Sequence, residues 1–262
     1  MFPFQVFIYK LDKTDLDYCN KEKDLGTIVT NDLKWDENIS VLCNKASSRL
    51  GLMKRTLCFI KNRKQKRAFY LALVRSLFEH NCIVWRPTTS ASIYKVESIQ
   101  KRAVKWILGE QDHHYNELEY SARLRELDLM PMIYKFKWTD LVMFHSIYHG
   151  LSVIKLPPYL TALSANERGR LRSNITQPDR LGSAGSAASG MRNHNETRNN
   201  RYDEFSLKSA IEVKNCTFGA SFFFRAHSLW NDLPSNLKEE SQSSLFQSKL
   251  KTYFWELMIE PD

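Results

Sequence analysis

Residues 36–60, DENISVLCNKASSRLGLMKRTLCFI, are the stretch that decides the fold of this chain. Their large apolar side chains recur every three or four residues and fall within an arc of about 100° on a helical wheel. This period predicts a long amphipathic helix whose apolar side packs on a core, with Asp36 capping its first N–H groups. The apolar positions are Ile39, Leu42, Cys43, Ala46, Leu50, Met53, Leu57 and Ile60.

The same stretch and its continuation to Arg67 carry an unbroken excess of positive charge. Residues 43–67 contain nine Lys or Arg and no Asp or Glu. Like charges repel along a helix, and a cationic run of this kind can neutralise phosphates and release their condensed counterions. We therefore predict a nucleic-acid-binding surface, against the alternative of a solvated face that only keeps the protein soluble. The predicted contacts are Lys45, Arg49, Lys54, Arg55, Lys61, Arg63, Lys64, Lys66 and Arg67, with Lys101, Arg102 and Lys105 on a later helix.

The rest of the chain predicts a mainly α fold, a helical bundle with a small N-terminal β-hairpin. The β-prone runs 4–9 and 25–30 should pair. Residues 63–85 read as one mostly buried helix, with Arg75 and Glu79 on a narrow polar strip. Further helices are expected over 92–108, ended by Gly109, over 116–127, over 132–149, ended by Gly150, and around the aromatic residues near the C-terminus.

Shifts in composition divide the chain into four parts. Residues 1–34 form the hairpin region and 35–158 the helical domain. Residues 159–204 contain the tract GSAGSAASG and seven arginines, which is typical of a flexible linker or arm. Order should return in a C-terminal aromatic-rich helical segment, residues 205–262.

The composition limits the classes of binding partner that we expect for this chain. A net charge of +9 favours a polyanionic partner, and 43% hydrophobic residues supply enough apolar surface for a core. No run approaches the about 20 apolar residues that a membrane helix needs, so we expect no membrane partner. The five cysteines are scattered without C-x-x-C spacing, which favours free thiols in a reducing compartment, nucleus or cytoplasm.

The sequence contains no arrangement of residues typical of catalysis. Two-metal polymerases and nucleases need closely placed carboxylates, and this chain has no Asp-Asp pair. His145 and His149 have a spacing that can bind metal, but without a third ligand we expect an interface or surface pair. We therefore predict no catalytic residues, no metal site, no cofactor and no small-molecule substrate in this chain.

Five sequence blocks, taken in order, resemble the carboxy-terminal region of reverse transcriptases from non-LTR retrotransposons, of the jockey-like group and its relatives. Their order along the chain matters more than any one block. The blocks are KDLGTIVTNDLKWDENI at 23–39, KASSRLGLMKRTL at 45–57, ALVRSLFEHNCIVWRP at 72–87, VESIQKRAVKWILG at 96–109 and SFFFRAHSLWNDLP at 221–234.

The resemblance implies a helical thumb that follows the polymerase palm and grips template and primer. The Tyr/Phe-x-Asp-Asp motif of the palm is absent from this sequence, and an intact polymerase would need it to hold Mg²⁺. The expectation is a polymerase-derived fragment without activity of its own. It would bind RNA or an RNA–DNA hybrid regardless of base sequence and adjoin a palm domain. The alternatives are a helical protein-interaction module that binds through the aromatic C-terminal cluster, or a non-functional relic of a decayed element.

Overall fold

The long basic helix is present as α1, Asp36–Thr56, in the computed structural model, which describes residues 10–15, 17–109, 119–164, 203, 205–210 and 219–258. Ala46 and Leu50 lie on its buried face, as the apolar period predicts. The predicted cap is wrong: Trp35 is the N-cap residue and makes no side-chain cap. Asp36 lies one position later, in the first turn, where its Oδ1 accepts a hydrogen bond from Ser92 Oγ at 3.0 Å.

A hairpin precedes α1, but its first strand differs from the predicted one. Strands β1 (Lys10–Leu11) and β2 (Thr14–Asp15) form a two-residue ladder. Strand β3 (Lys21–Asp24) then pairs antiparallel with β4 (Thr27–Thr30). The two residues that connect β3 and β4, Leu25 and Gly26, have φ angles of 45° and 87°, as a type I′ hairpin turn requires. Residues 4–9, the predicted partner strand, lie outside the described residues.

The segment 63–85, predicted as one buried helix, is divided into three short helices and a π-turn. Helix α2 (Arg63–Tyr70) runs into a π-turn at Leu71–Arg75 and then into α3 (Ser76–Glu79). Asn81, with a φ of 52°, separates α3 from α4 (Cys82–Trp85). Arg75 is not on a polar surface strip, because its side chain is buried and hydrogen-bonds to Glu79 and Gln100.

Helix α5 (Ser90–Leu108) packs along α1. The Thr89 side chain caps its start, and Gly109, with a φ of 101°, ends it as predicted. Asp36 contacts Ser92 and Ser47 contacts Arg102, so contacts advance in the same direction along both helices. Helices α1 and α5 are therefore parallel neighbours.

Helix α7 (Met132–Tyr148) joins two apolar cores. Its first part, with Phe136, belongs to the core built from α1 to α5 and α6 (Tyr120–Glu126). Its second part, with Leu141 and Phe144, belongs to a core that includes the C-terminal helices. These C-terminal elements are α8 (Phe222–Asn231), α9 (Ser235–Lys238) and α10 (Ser243–Leu257), and β5 (Leu160–Ala162) pairs antiparallel with β6 (Leu207–Ser209) beside them.

The mainly α fold class with a small β-hairpin is thus confirmed. Helices dominate the described residues, and their sheets have two strands each. The predicted arm, residues 159–204, lies mostly outside the described residues, and so does its GSAGSAASG tract. No described helix combines the length and apolar character needed to cross a bilayer.

Candidate nucleic-acid interface

Helix α1 presents two flanks on either side of its buried face. Lys45 and Arg49 are one turn apart on the first flank. There, Arg49 Nη1 donates to the carbonyl oxygen of Leu73 in the π-turn at 3.0 Å. On the second flank, Ser47 Oγ accepts a hydrogen bond from Arg102 Nη2 of α5 at 2.8 Å. The folded helix therefore turns Lys45 and Arg49 away from the surface that it shares with α5.

The second flank of α1 and the adjacent side of α5 enclose a polar groove of about 330 Å³, which we call the α1–α5 groove. Lys95 and Arg102 contribute its positive charge. None of its lining residues is an Asp or a Glu. The lining residues are Ser40, Cys43, Asn44, Ser47, Lys95, Ser98, Ile99 and Arg102.

The exposed cations of α1 and α5 extend beyond this groove. On α5, Lys105 lies three residues after Arg102, and on α1, Arg55 follows Asn44 by three helical turns, so both continue the sides of the groove. Both side chains are exposed and form no hydrogen bond or ion pair with another described residue. Lys54, also near this end of α1, is half-buried. A nucleic-acid strand lying along the groove would contact these cations beyond its end.

The cations of α2 serve mainly to hold the helices together. Arg63 Nη1 pairs with Glu126 Oε1 at 2.6 Å. Arg67 donates to the backbone carbonyl of Asp128 at 3.0 Å and pairs with its carboxylate at 3.3 Å. Because Glu126 at the end of α6 and Asp128 just after it pair with them, Arg63 and Arg67 are poorly placed to add to a phosphate-binding field.

Lys66 has a related structural role. Its Nζ donates to the carbonyl oxygen of Trp106 at 3.1 Å and lies 5.3 Å from the centre of the indole ring. This carbonyl belongs to the last turn of α5, where a cation also interacts favourably with the helix dipole. Burial, followed by the charges of Lys61 and Arg63, lowers the pKa of Lys66.

The remaining predicted contacts face solvent. Lys45, Lys61 and Lys64 are exposed, and among the described residues their side chains have no hydrogen-bonding or ion-pairing partner. Lys101 is not among the residues that line the groove, and its Nζ lies 5.1 Å from the ring centre of Tyr120 and 5.9 Å from that of Tyr94. The structure thus brings Arg102, Lys105, Lys54 and Arg55 to one surface and distributes the other predicted contacts over different faces.

Sequence reasoning missed Lys95 and the uncharged donors of the groove. Lys95, Ser98, Arg102 and Lys105 are spaced three, four and three residues apart, so they form one stripe on α5. The stripe could have been predicted from this spacing. The side of α1 that faces the stripe could not have been predicted, because no local pattern indicates which two helices pack together.

A second groove is apolar and lies on another part of the surface. It has a volume of about 330 Å³ and is lined by residues from α4, α7, α8 and the two loops near Trp35 and Ile154. Val84, with 53% of its surface exposed, and Leu33, with 52%, are among its lining residues. Phe222 and Phe223, from the aromatic C-terminal segment, complete one side.

His145 lies in a core, which contradicts its interpretation as part of a surface or interface pair, and His149 is the half-buried C-cap residue of α7. His145 is fully buried, its ring stacks on Phe246 with centroids 4.0 Å apart, and His149 lies 4.5 Å away. Within the described ranges, no three His, Cys, Asp or Glu side chains come together as metal ligands would.

No protein-family model, curated protein or solved structure matches this chain, so the assignment of a function depends on the residues themselves.

Proposed function

We propose that this chain binds RNA or an RNA–DNA hybrid regardless of base sequence, through the cationic surface formed by α1 and α5. The observation that carries the proposal is the combination of exposed cations on both helices with a groove lined by no carboxylate. Of the nearest acids of α1, Glu37 pairs with Lys21 at 2.7 Å, whereas Asp36, one turn before Ser40, accepts a hydrogen bond from the neutral Ser92 hydroxyl, which does not cancel its charge. Cations therefore outnumber acids at this surface.

In this proposal affinity comes from phosphate neutralisation. Each Lys or Arg that meets a phosphate releases condensed counterions, and the base edges take no part, so unrelated sequences bind alike. With about five phosphate contacts, the logarithm of the binding constant should fall against the logarithm of salt concentration with a slope of roughly −4. In this proposal the chain binds the nucleic acid and catalyses no chemical step.

Exposed aromatic rings beside the cations support a nucleic-acid partner over a purely solvated face. Tyr94 has 67% of its surface exposed, and Lys101 Nζ lies 5.9 Å from its ring centre. Phe59 has 72% exposed and lies in the loop between α1 and α2, close to Lys61 in the chain. An aromatic face next to a cation can stack on a base or sugar while the cation meets the phosphate, and this contact does not depend on base identity.

We further propose that the chain derives from the thumb and carboxy-terminal region of a non-LTR retrotransposon reverse transcriptase. The support is the ordered series of five sequence blocks, two of which, 45–57 and 96–109, lie on α1 and α5. A thumb that holds a template–primer duplex needs a sequence-independent grip of the kind proposed for α1 and α5.

The test measures binding of two fluorescent RNA–DNA hybrids with unrelated sequences over a range of salt. We expect equal affinities and a steep, equal salt dependence for both hybrids. Replacing Arg55 and Lys105 by Glu should weaken both interactions alike. The control replaces two exposed lysines outside this surface, Lys13 and Lys155, by Glu. Equal losses from the two pairs, or affinity independent of salt, would reject the proposal.

A second candidate function is supported by the apolar groove. The exposed side chains of Val84 and Leu33 beside Phe222 and Phe223 form a surface that an apolar segment of another protein could cover. Binding there would bury apolar area and change little with salt, whereas phosphate binding weakens steeply. Salt dependence of any interaction found therefore discriminates the two functions.

A further inference from the structure

The α1–α5 groove has hydrogen-bond donors as well as charge. The Ser40 hydroxyl and the Asn44 amide are on the α1 side, and neither side chain hydrogen-bonds to another described residue. Ser47 Oγ accepts from Arg102, which leaves its own hydroxyl hydrogen available to donate. Ser98 differs, because its hydroxyl already donates to the carbonyl oxygen of Lys95 at 2.7 Å. Three side chains of α1 can therefore donate into the groove.

The charges at the groove also favour an anion. The Lys95 side chain is exposed and makes no hydrogen bond with the described residues, while the hydrogen bond from Arg102 to Ser47 fixes the Arg102 guanidinium at the groove. Cys43 lines the groove on the α1 side, and burial raises the pKa of its thiol despite the opposing effect of these two cations. The thiol therefore stays neutral near pH 7 and adds no negative charge that would repel an anion.

We propose that the α1–α5 groove is a phosphate subsite: Lys95 and Arg102 neutralise one phosphate of a nucleic-acid strand, and Ser40, Asn44 and Ser47 donate hydrogen bonds to its oxygens. Charge-assisted hydrogen bonds to phosphate oxygens are short and strong, and short hydroxyl and amide donors fix the position of the group. This inference rests on the proposed nucleic-acid function. It adds one defined position, built from residues of both helices, to an otherwise diffuse cationic surface.

The first test replaces Lys95 by Gln, alone and together with Arg102→Gln. Removing one phosphate contact should lower the magnitude of the salt slope by about one, so the double variant should lose about one unit of slope and at least about tenfold in affinity at low salt. The single variant avoids a folding effect, because the Lys95 side chain makes no described hydrogen bond. The matched control, Lys13→Gln with Lys155→Gln, removes the same charge elsewhere and should leave the slope unchanged.

The second test uses the native Cys43 thiol as a reporter. The protein is alkylated with N-ethylmaleimide, with and without a saturating RNA–DNA hybrid, and each cysteine is followed by mass spectrometry. A strand in the groove should slow alkylation of Cys43 severalfold. Cys19 is exposed near the hairpin and should react at the same rate in both samples.

The two tests separate failure of the subsite from failure of the proposed function. If the hybrid binds with a steep salt slope but the Lys95 variants bind normally and Cys43 stays unprotected, the subsite is wrong and the general function stands. If no hybrid binds, both are wrong. Reduced slope together with selective protection of Cys43 supports the subsite.

Discussion

Asp140 is the residue on which the junction between the two cores depends. Its carboxylate has 1% of its surface exposed and accepts from the guanidinium groups of Arg86 and Arg225. Arg225 Nε lies 2.9 Å from Oδ2, and its Nη1 also donates to the carbonyl oxygen of Ala220 at 2.7 Å. One acid of α7 thus pairs with two largely buried cations, one next to α4 and one on α8.

Replacing Asp140 by Asn keeps the shape of the side chain but leaves two buried guanidinium groups without a counter-charge. We expect the free energy of unfolding to fall by about 3–5 kcal/mol, because the remaining charges stay desolvated. Urea denaturation followed by circular dichroism measures the loss. Glu37→Gln, which breaks an exposed ion pair with Lys21, is the control and should change stability little. An Asp140 variant as stable as this control would show that the ion pairs of Asp140 with Arg86 and Arg225 do not stabilise the fold.

His145 should make stability depend on pH. Burial lowers its pKa below the ordinary value of about 6.5, although the carbonyl of Glu240, which accepts from Nε2 at 2.6 Å, acts in the opposite direction. Its Nδ1 is buried and has no hydrogen-bond partner among the described residues, so protonation there would place an unpaired charge in the core.

Since the folded-state pKa of His145 is below the unfolded value, its contribution to stability is intact above about pH 6.5 and is lost as the pH falls below it. We expect the urea midpoint to drop between about pH 7.5 and about pH 5.5. His145→Phe keeps a ring against Phe246 and cannot titrate, so its midpoint should decline less. Parallel pH profiles for the two proteins would show that His145 is not responsible.

Among the elements, those with a strong local pattern were predictable. The apolar period of α1 predicted the position of that helix, and the stop signal at Gly109 predicted the end of α5. The first strand of the hairpin was not predictable, because Lys21–Asp24 is wholly exposed and all four of its residues are charged, with none of the alternation that marks a strand. The π-turn was also hidden, since Leu71–Arg75 has an ordinary helical composition.

Asn81 helps to attach the hairpin to the helices, together with Asn38 and His80, which also hydrogen-bond to hairpin residues. Asn81 has a left-handed backbone, with φ 52°, and its Nδ2 donates to Thr27 Oγ1 at 3.3 Å. Asn81→Ala should cost about 1–2 kcal/mol, because a side chain with Cβ is strained there and the hydrogen bond is lost. Asn81→Gly loses the hydrogen bond without the strain and should cost less. A lower denaturant midpoint for the Asn81→Gly variant than for the Asn81→Ala variant would contradict this explanation.

In the whole molecule, folding redistributes a charge run that is continuous in sequence. Lys45 and Arg49 face the π-turn side of α1, Arg63 and Arg67 pair with residues 126–128, and Arg55 continues the side of the α1–α5 groove. The sequence predicted that α1 is cationic. It could not predict the groove, which requires α5 to pack parallel to α1 and to contribute Lys95 and Arg102. Tertiary packing therefore decides which cations can act together.

The central claim is that the surface shared by α1 and α5 holds a sugar–phosphate strand. Lysine acylation read by mass spectrometry, with and without a saturating RNA–DNA hybrid, tests it most directly in the unmodified chain. The account predicts that Lys95 and Lys105 become protected while Lys13 and Lys155 react as before. Equal reactivity of all four lysines in the bound complex, or protection confined to Lys13 and Lys155, would contradict it.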